Sequence, residues 1–225
     1  MNPLSDARIL AAWRDNAQPW IRAVRERQIE SRRLVTDRAI VEAVLEGRPR
    51  TALDIGCGEG WLARALAAEG IEVTGIDAIP ALIEQAQAAG GGHFRVMSYD
   101  EVPVGGLTPG VDAAICNFAL LGKTSVEGLL PALPALLAPK GRLLIQTLHP
   151  LAAGGEDAYV DGWREGSWAG LSTDLGKPAP WYFRTLESWI RLLADSGLQL
   201  IDMREPLHPQ TSRPVSVIFT ARASR

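Results

Sequence analysis

A chain of 225 residues, 47% hydrophobic and 22% charged, carries enough apolar material for one domain with a substantial core, which excludes global disorder. A formal net charge of −3 argues against a dedicated nucleic-acid binder, and the arginines of residues 8–50 are interleaved with Asp15, Glu26, Asp37 and Glu42. Cys57 and Cys116 are too few for a disulfide framework or a cysteine-based metal site, and no apolar run reaches the ~18–20 residues of a spanning helix.

Residues 5–29 predict a helix, with Ile9, Trp13, Trp20 and Val24 in helical register. A second helix is expected from Thr36 as N-cap, packing through Ile40 and Val44 and stopping at Gly47 before Pro49. Strand 51–55, helix 60–69 closed by Gly70, strand 71–77 and a helix opened by Pro80 come next. A third strand fits 93–98 and a fourth fits 111–117. The 125–138 segment is helical in composition but interrupted at Pro131, and Pro139-Lys140-Gly141 turns into strand 142–148. Residues 149–183 break this rhythm: they are rich in Gly and Pro, have no clear period and carry six aromatic residues between Tyr159 and Phe183. Such a segment in a compact domain suggests a lid or mobile loop. Thr185 caps a helix that Gly197 ends, and strands 198–204 and 214–222 are joined closely enough to favour an antiparallel hairpin. Strands alternating with helices imply a parallel sheet covered on both faces.

The most telling stretch is Thr51-Ala-Leu-Asp-Ile-Gly-Cys-Gly-Glu-Gly60, followed by Val73-Thr-Gly-Ile-Asp77. Glycines at this spacing allow a tight strand-to-helix turn and bring backbone N–H groups close to a ligand. Asp77 ends the second strand 17 residues after Gly60, where a carboxylate meets a ribose diol. Two cofactor types use such a site. The dinucleotide fingerprint G-x-G-x-x-G needs a glycine where this chain has Trp61, and an indole there obstructs the approach of a pyrophosphate. Asp54 adds negative charge that suits a ligand bearing an ammonium and a sulfonium.

The segment resembles motif I of the class I S-adenosylmethionine-dependent methyltransferases, and Ile76-Asp77-Ala78 resembles their acidic ribose-binding strand end. The resemblance covers roughly residues 50–148 and 185–222, and from Leu53 to Ala89 the chain is similar to the quinone-biosynthesis O-methyltransferases. It implies an α/β, doubly wound, Rossmann-like, mostly parallel seven-stranded sheet whose last strand is antiparallel. One domain, 1–225, would comprise an N-terminal helical cap (1–49), a cofactor-binding core (50–148), a lid or acceptor insert (149–183) before the sixth strand, and a C-terminal helix and hairpin (184–225). It further implies S-adenosylmethionine as cofactor and a small-molecule acceptor methylated at oxygen by in-line displacement. Cysteine count, hydropathy and charge separately lead to the expectation of a cytoplasmic protein with no metal and no membrane partner, with RNA kept as a minor alternative acceptor.

Residue by residue, the resemblance assigns Gly56, Cys57 and Gly58 to the methionyl part and ribose, Asp77 to the ribose diol, and Ala78 with the Tyr99 backbone to the adenine. The residue touching the adenine amino group is commonly Asp; aligned by Pro103 this chain has Ser98, which leaves Ser98 and Asp100 as alternatives for this contact. Asn117 and Phe118 line the methionyl end, and Asp54 lies beside the loop. Cys57 also reads as a small loop filler and Phe118 as core. His149, just beyond the fifth strand, is a candidate general base, or else a capping histidine before Pro150. Trp163, Trp168, Trp181 and Tyr182 are candidate acceptor walls, or anchors of a loop. Trp13 and Trp20, with Arg32 or Arg33, could close over the cofactor. The rival functions are a nicotinamide-dependent oxidoreductase and a non-catalytic S-adenosylmethionine-binding protein.

Overall fold

The computed structural model describes residues 4–155, 157–169 and 174–224. After α1 (Asp6–Arg25) and α2 (Asp37–Leu45) the chain alternates β1 (Thr51–Ile55), α3 (Trp61–Ala68), β2 (Glu72–Asp77), α4 (Pro80–Ala89) and β3 (His93–Val96). It continues through β4 (Val111–Asn117), α5 (Thr124–Leu129) and β5 (Leu137–Leu148) to the short α6 (Pro150–Ala153). Strands β6 (Gly162–Arg164) and β7 (Trp181–Phe183), helix α7 (Leu186–Asp195), and strands β8 (Leu198–Arg204) and β9 (Ser216–Ala223) complete it.

Seven strands form one sheet in the order β3-β2-β1-β4-β5-β9-β8, parallel except for β9, which runs antiparallel to both its neighbours. Successive side chains of a strand point to opposite faces. Leu143 and Ile145 of β5, with Val217 and Phe219 of β9, therefore join one core, packed by Leu129, Leu133, Trp189 and Leu193. Leu144 and Ile218 join the other, with Ile40, Val44, Leu62 and Leu66. Burial on both faces is what makes these strands nearly continuous apolar runs. A smaller cluster seats α1 on α4 through Ala17, Ile21, Ile79 and Leu82, which carries α1 over the carboxyl ends of the strands.

Four local expectations change. Thr36 is no N-cap: it has helical dihedrals, follows a π-helical turn over Arg32–Thr36, and its buried hydroxyl has no partner. The 125–138 segment is α5 followed by a 3-10 helix over Leu130–Leu136, with Pro131 in its first turn, where a missing N–H costs nothing. Residues after β3 tighten into a 3-10 helix over Tyr99–Val104. The 149–183 segment contains α6 and a small antiparallel pair, with Trp163 opposite Tyr182. Strands of three residues are too short to display a period.

Candidate active site

The glycine loop is folded by the neighbouring strand. The N–H groups of Gly56 and Cys57 both donate to the Ile76 carbonyl, at 2.8 and 2.9 Å. The Asp77 carboxylate then receives the Gly58 N–H on Oδ2 and the Ile79 N–H on Oδ1, each at 2.9 Å. One side chain thus locks the loop after β1 to the turn after β2. Burial raises the Asp77 carboxyl, and the N–H bonds from Ile79, Gly58 and Ala78 oppose that rise. Gly56 must be glycine: its φ is +76°, and a Cβ there would stand 2.5 Å from Ala119 Cβ and 2.8 Å from the Tyr99 hydroxyl.

Asp54 lies beneath this loop, 1% exposed, with Oδ2 unpartnered. Burial, and after it the negative charge of Asp77, pushes its carboxyl up to about 7. Cys57 and Cys116 are buried, and burial pushes both thiols up, so neither is poised for redox chemistry. Cys57 fills space in the core.

Above the loop opens a cavity of about 360 Å³. Gly56, Cys57, Gly58, Asp77, Ala78, Tyr99, Asn117 and Phe118 all line it, as do Trp168 and Trp181 of the insert. Tyr99 contributes its ring, with the hydroxyl donating to the Ala119 carbonyl at 3.1 Å. Phe118 has a φ of +51°, unusual for a residue with a Cβ.

Other candidates stand elsewhere. Ser98 does not line the cavity; its hydroxyl and N–H both contact Glu101 Oε2, a capping box for the 3-10 turn. Trp163 and Tyr182 pair edge to face across the β6–β7 hairpin, outside the cavity wall. His149 has partners of its own. It does not line the cavity, and both ring nitrogens are engaged. Nδ1 accepts the Leu151 N–H at 3.1 Å, which makes it the N-cap of α6 and leaves the proton on Nε2, 2.7 Å from Glu205 Oε1. This geometry matches the capping reading of His149.

The first helix supplies more of the wall than Trp13 and Trp20 alone. Ile9, Leu10, Trp13, Trp20 and Val24 of α1 form much of the cavity wall, and Arg32 and Trp61 join them with the guanidinium 4.6 Å from the indole centroid. Trp13 lies 5.0 Å from Trp20 and 5.9 Å from Trp168, so the insert docks on α1 through an indole cluster. Buried Asn16 strengthens that seam, donating to the Lys177 carbonyl at 3.0 Å and accepting the Gly176 N–H at 2.6 Å. Trp13, Trp20 and Arg32 were readable in the sequence; Ile9, Leu10 and Val24 share their helical stripe, which is the signal that extends the wall to them.

A family model described as a methyltransferase domain matches residues 25–203. The chain belongs to this family. The methyltransferase match runs from the end of α1 into β8 and so includes the glycine loop, Asp77 and the insert. The ubiquinone biosynthesis O-methyltransferase of Xanthomonas axonopodis pv. citri is 29% identical over 177 residues, which are 75% of this chain and 70% of that one. That of Xylella fastidiosa strain M23 is 34% identical over 102 residues, 43% of this chain, and the match spans only 41% of the Xylella protein's length. The fold is shared with solved structures. An S-adenosylmethionine-dependent methyltransferase from Mesorhizobium loti superposes with a TM-score of 0.60 at 22% identity, covering 80% of this chain and 96% of that one. A Burkholderia thailandensis 1,6-didemethyltoxoflavin N1-methyltransferase, solved with its acceptor and S-adenosylhomocysteine, gives 0.64 at 17%, covering 93% and 87%. At these identities the likeness speaks for the Rossmann-like fold. Among the described residues, no cluster of side chains could hold a metal, and no helix is long and apolar enough to cross a membrane.

Proposed function

We propose that this methyltransferase carries a methyl group from S-adenosylmethionine to the oxygen of a small-molecule acceptor. The observation that carries this reading is the Asp77 carboxylate, pinned on the Gly58 N–H at the mouth of an apolar, aromatic-walled cavity. The residues present fit that cofactor. Asp77 keeps lone pairs for a ribose diol after accepting its two backbone bonds. Ala119 and the Tyr99 hydroxyl crowd Gly56 so closely that no Cβ fits, which keeps the loop backbone tight at the cavity wall. The buried, unpartnered Asp54 carboxyl sits where a cationic ligand would relieve its cost. Arg32, in the wall, can meet a carboxylate.

When bound, the cofactor supplies a methyl group activated by its positive sulfur. What the protein adds is alignment and the exclusion of water, contributions worth roughly 7–11 kcal/mol of barrier in well-oriented systems. The insert, held to α1 by the tryptophan cluster and Asn16, supplies the covering wall and acts as the lid. An aromatic cavity opening beside the glycine loop favours an enzyme over a protein that merely senses the cofactor. Oxygen as the methylated atom is supported by the O-methyltransferase names of the Xanthomonas and Xylella relatives. The test is S-adenosylhomocysteine release, followed by chromatography, across a panel of aromatic hydroxyl, amine and thiol compounds. Turnover confined to amines would refute oxygen transfer; absence of turnover alongside cofactor binding would favour the sensing protein.

A further inference from the structure

The direction of one amide at the cavity wall is fixed by a chain of obligate partners. Buried Gln146, on β5, places Nε2 3.1 Å from the Thr36 carbonyl oxygen and 3.0 Å from Asn117 Oδ1. A carbonyl can only accept, so the Gln146 atom facing Thr36 has to be nitrogen. That same nitrogen donates to Asn117, whose facing atom therefore has to be oxygen. The Asn117 Nδ2 is left pointing away from Gln146, with no acceptor among the described residues, on a side chain that lines the cavity. Gln146 also steadies the backbone there, its carbonyl receiving the Phe118 N–H at 2.7 Å.

Asn117 ends β4, separated from Asp77 at the end of β2 by the whole of β1. Adjacent strands lie about 4.8 Å apart, so roughly 10 Å divides the ribose carboxylate from this donor. Leu121, Leu148 and Trp181 of the same wall are apolar. The titratable side chains among the described wall residues are Arg32, Cys57, Glu59, Asp77 and Tyr99, and Asp54 lies beneath. Each wall group is occupied or inert. Arg32 pairs with Asp37, Glu59 with Arg25 and Arg64, and Asp77 holds two N–H groups. The Tyr99 hydroxyl donates to Ala119, and the Cys57 thiol is buried. None of them stands beside Asn117 as a free base.

We propose that Asn117, oriented by Gln146, receives an acceptor whose oxygen is already an anion, which makes the acceptor class acidic phenols, enols or carboxylates. The inference rests on the methyl-transfer reading above. Electrons balance without a protein base: an oxyanion lone pair forms the new C–O bond, the C–S pair returns to the positively charged sulfur, and a neutral thioether leaves. Gln146 is a positioning residue here, and Asn117 the contact.

The test uses 4-nitrophenol, whose two ionisation states absorb at different wavelengths, titrated against pH in protein saturated with S-adenosylhomocysteine. The bound phenol is expected to ionise at lower pH than the free one, by about tenfold in its dissociation constant, the worth of one hydrogen bond to a charged oxygen. Asn117→Leu should abolish the shift and Gln146→Leu should shrink it, each read in protein held saturated with S-adenosylhomocysteine. Asn117→Asp, equal in size but presenting a carboxylate, should reverse its sign, which no loss of packing can mimic. An unshifted or raised ionisation in the wild type, a shift that survives Asn117→Leu, or failure of 4-nitrophenol to bind would each overturn the proposal. A wild-type protein that binds no S-adenosylhomocysteine would instead overturn the cofactor reading beneath it.

Discussion

Asp54 offers the most quantitative handle on the site. Its carboxyl is buried, has one oxygen without a partner, and is pushed from 3.8 to about 7. A folded-state value above the unfolded one means that the folded protein binds the proton more tightly, so stability falls as pH rises through this window. About three pH units at roughly 1.4 kcal/mol each put the loss on the order of 4 kcal/mol by pH 8. Asp54→Asn keeps the shape and cannot ionise. The variant is expected to be more stable than the wild type at pH 8 by a few kcal/mol. The gap should narrow as pH drops below about 7 and close near 4, where both side chains are neutral. Urea unfolding of the two proteins at half-unit steps from pH 4.5 to 8.5 measures it. A variant less stable at pH 8, or a gap that ignores pH, would refute the reasoning. S-adenosylmethionine should narrow the same gap, because its positive charge relieves the ionised wild type and does nothing comparable for the neutral variant.

Three further outcomes follow from the geometry. Gly58→Ala meets nothing within 4 Å at φ +57°, so its cost should be the roughly 1–2 kcal/mol of a left-handed residue. Gly56→Ala, which must also push aside Ala119 and Tyr99, should cost clearly more and weaken S-adenosylhomocysteine binding; equal thermal shifts for the two would contradict this. His149→Ala should lower stability by about 1 kcal/mol through loss of the α6 cap while leaving S-adenosylhomocysteine affinity unchanged, as calorimetry can establish. Asn16→Ala strands the Gly176 N–H and the Lys177 carbonyl, so residues 165–180 should become markedly more sensitive to limited proteolysis. Unchanged cleavage would mean that the tryptophan cluster alone holds the insert.

What could be read in advance divides along physical lines. The central strands were legible because burial on two faces writes an unbroken apolar run bounded by Gly, Pro or Asp; β1 and β4 lie where the residues placed them. The glycine loop and Asp77 were legible because their backbone demands restrict residue choice at several positions together. Single polar residues were not. Thr36, Ser98 and His149 each had more than one plausible role, and the residue types alone did not choose between them: Thr36 ends a π-helical turn, Ser98 bonds Glu101 three residues on, and His149 meets Leu151 and the distant Glu205. Gln146 and Asn16 left no local signal, since their partners lie 110 and 161 residues away in the chain. The β6–β7 pair was hidden by its brevity. On α1, Trp13 and Trp20 were readable as closing over the site, whereas Ile9, Leu10 and Val24 were not, because a cavity-facing helix stripe resembles a core-facing one.

Calorimetric titration of S-adenosylhomocysteine into the wild type and Asp77→Ala, with NAD as the control ligand, tests the central claim most directly. Heat should appear with the first ligand and not with NAD. Removing the carboxylate should weaken the affinity at least tenfold, since a hydrogen bond to a charged group contributes roughly 1.5–3 kcal/mol and two ribose hydroxyls are at stake. Silence from the wild type, or an Asp77→Ala protein that binds as tightly as its parent, would contradict the assignment of this cavity to an adenosyl cofactor.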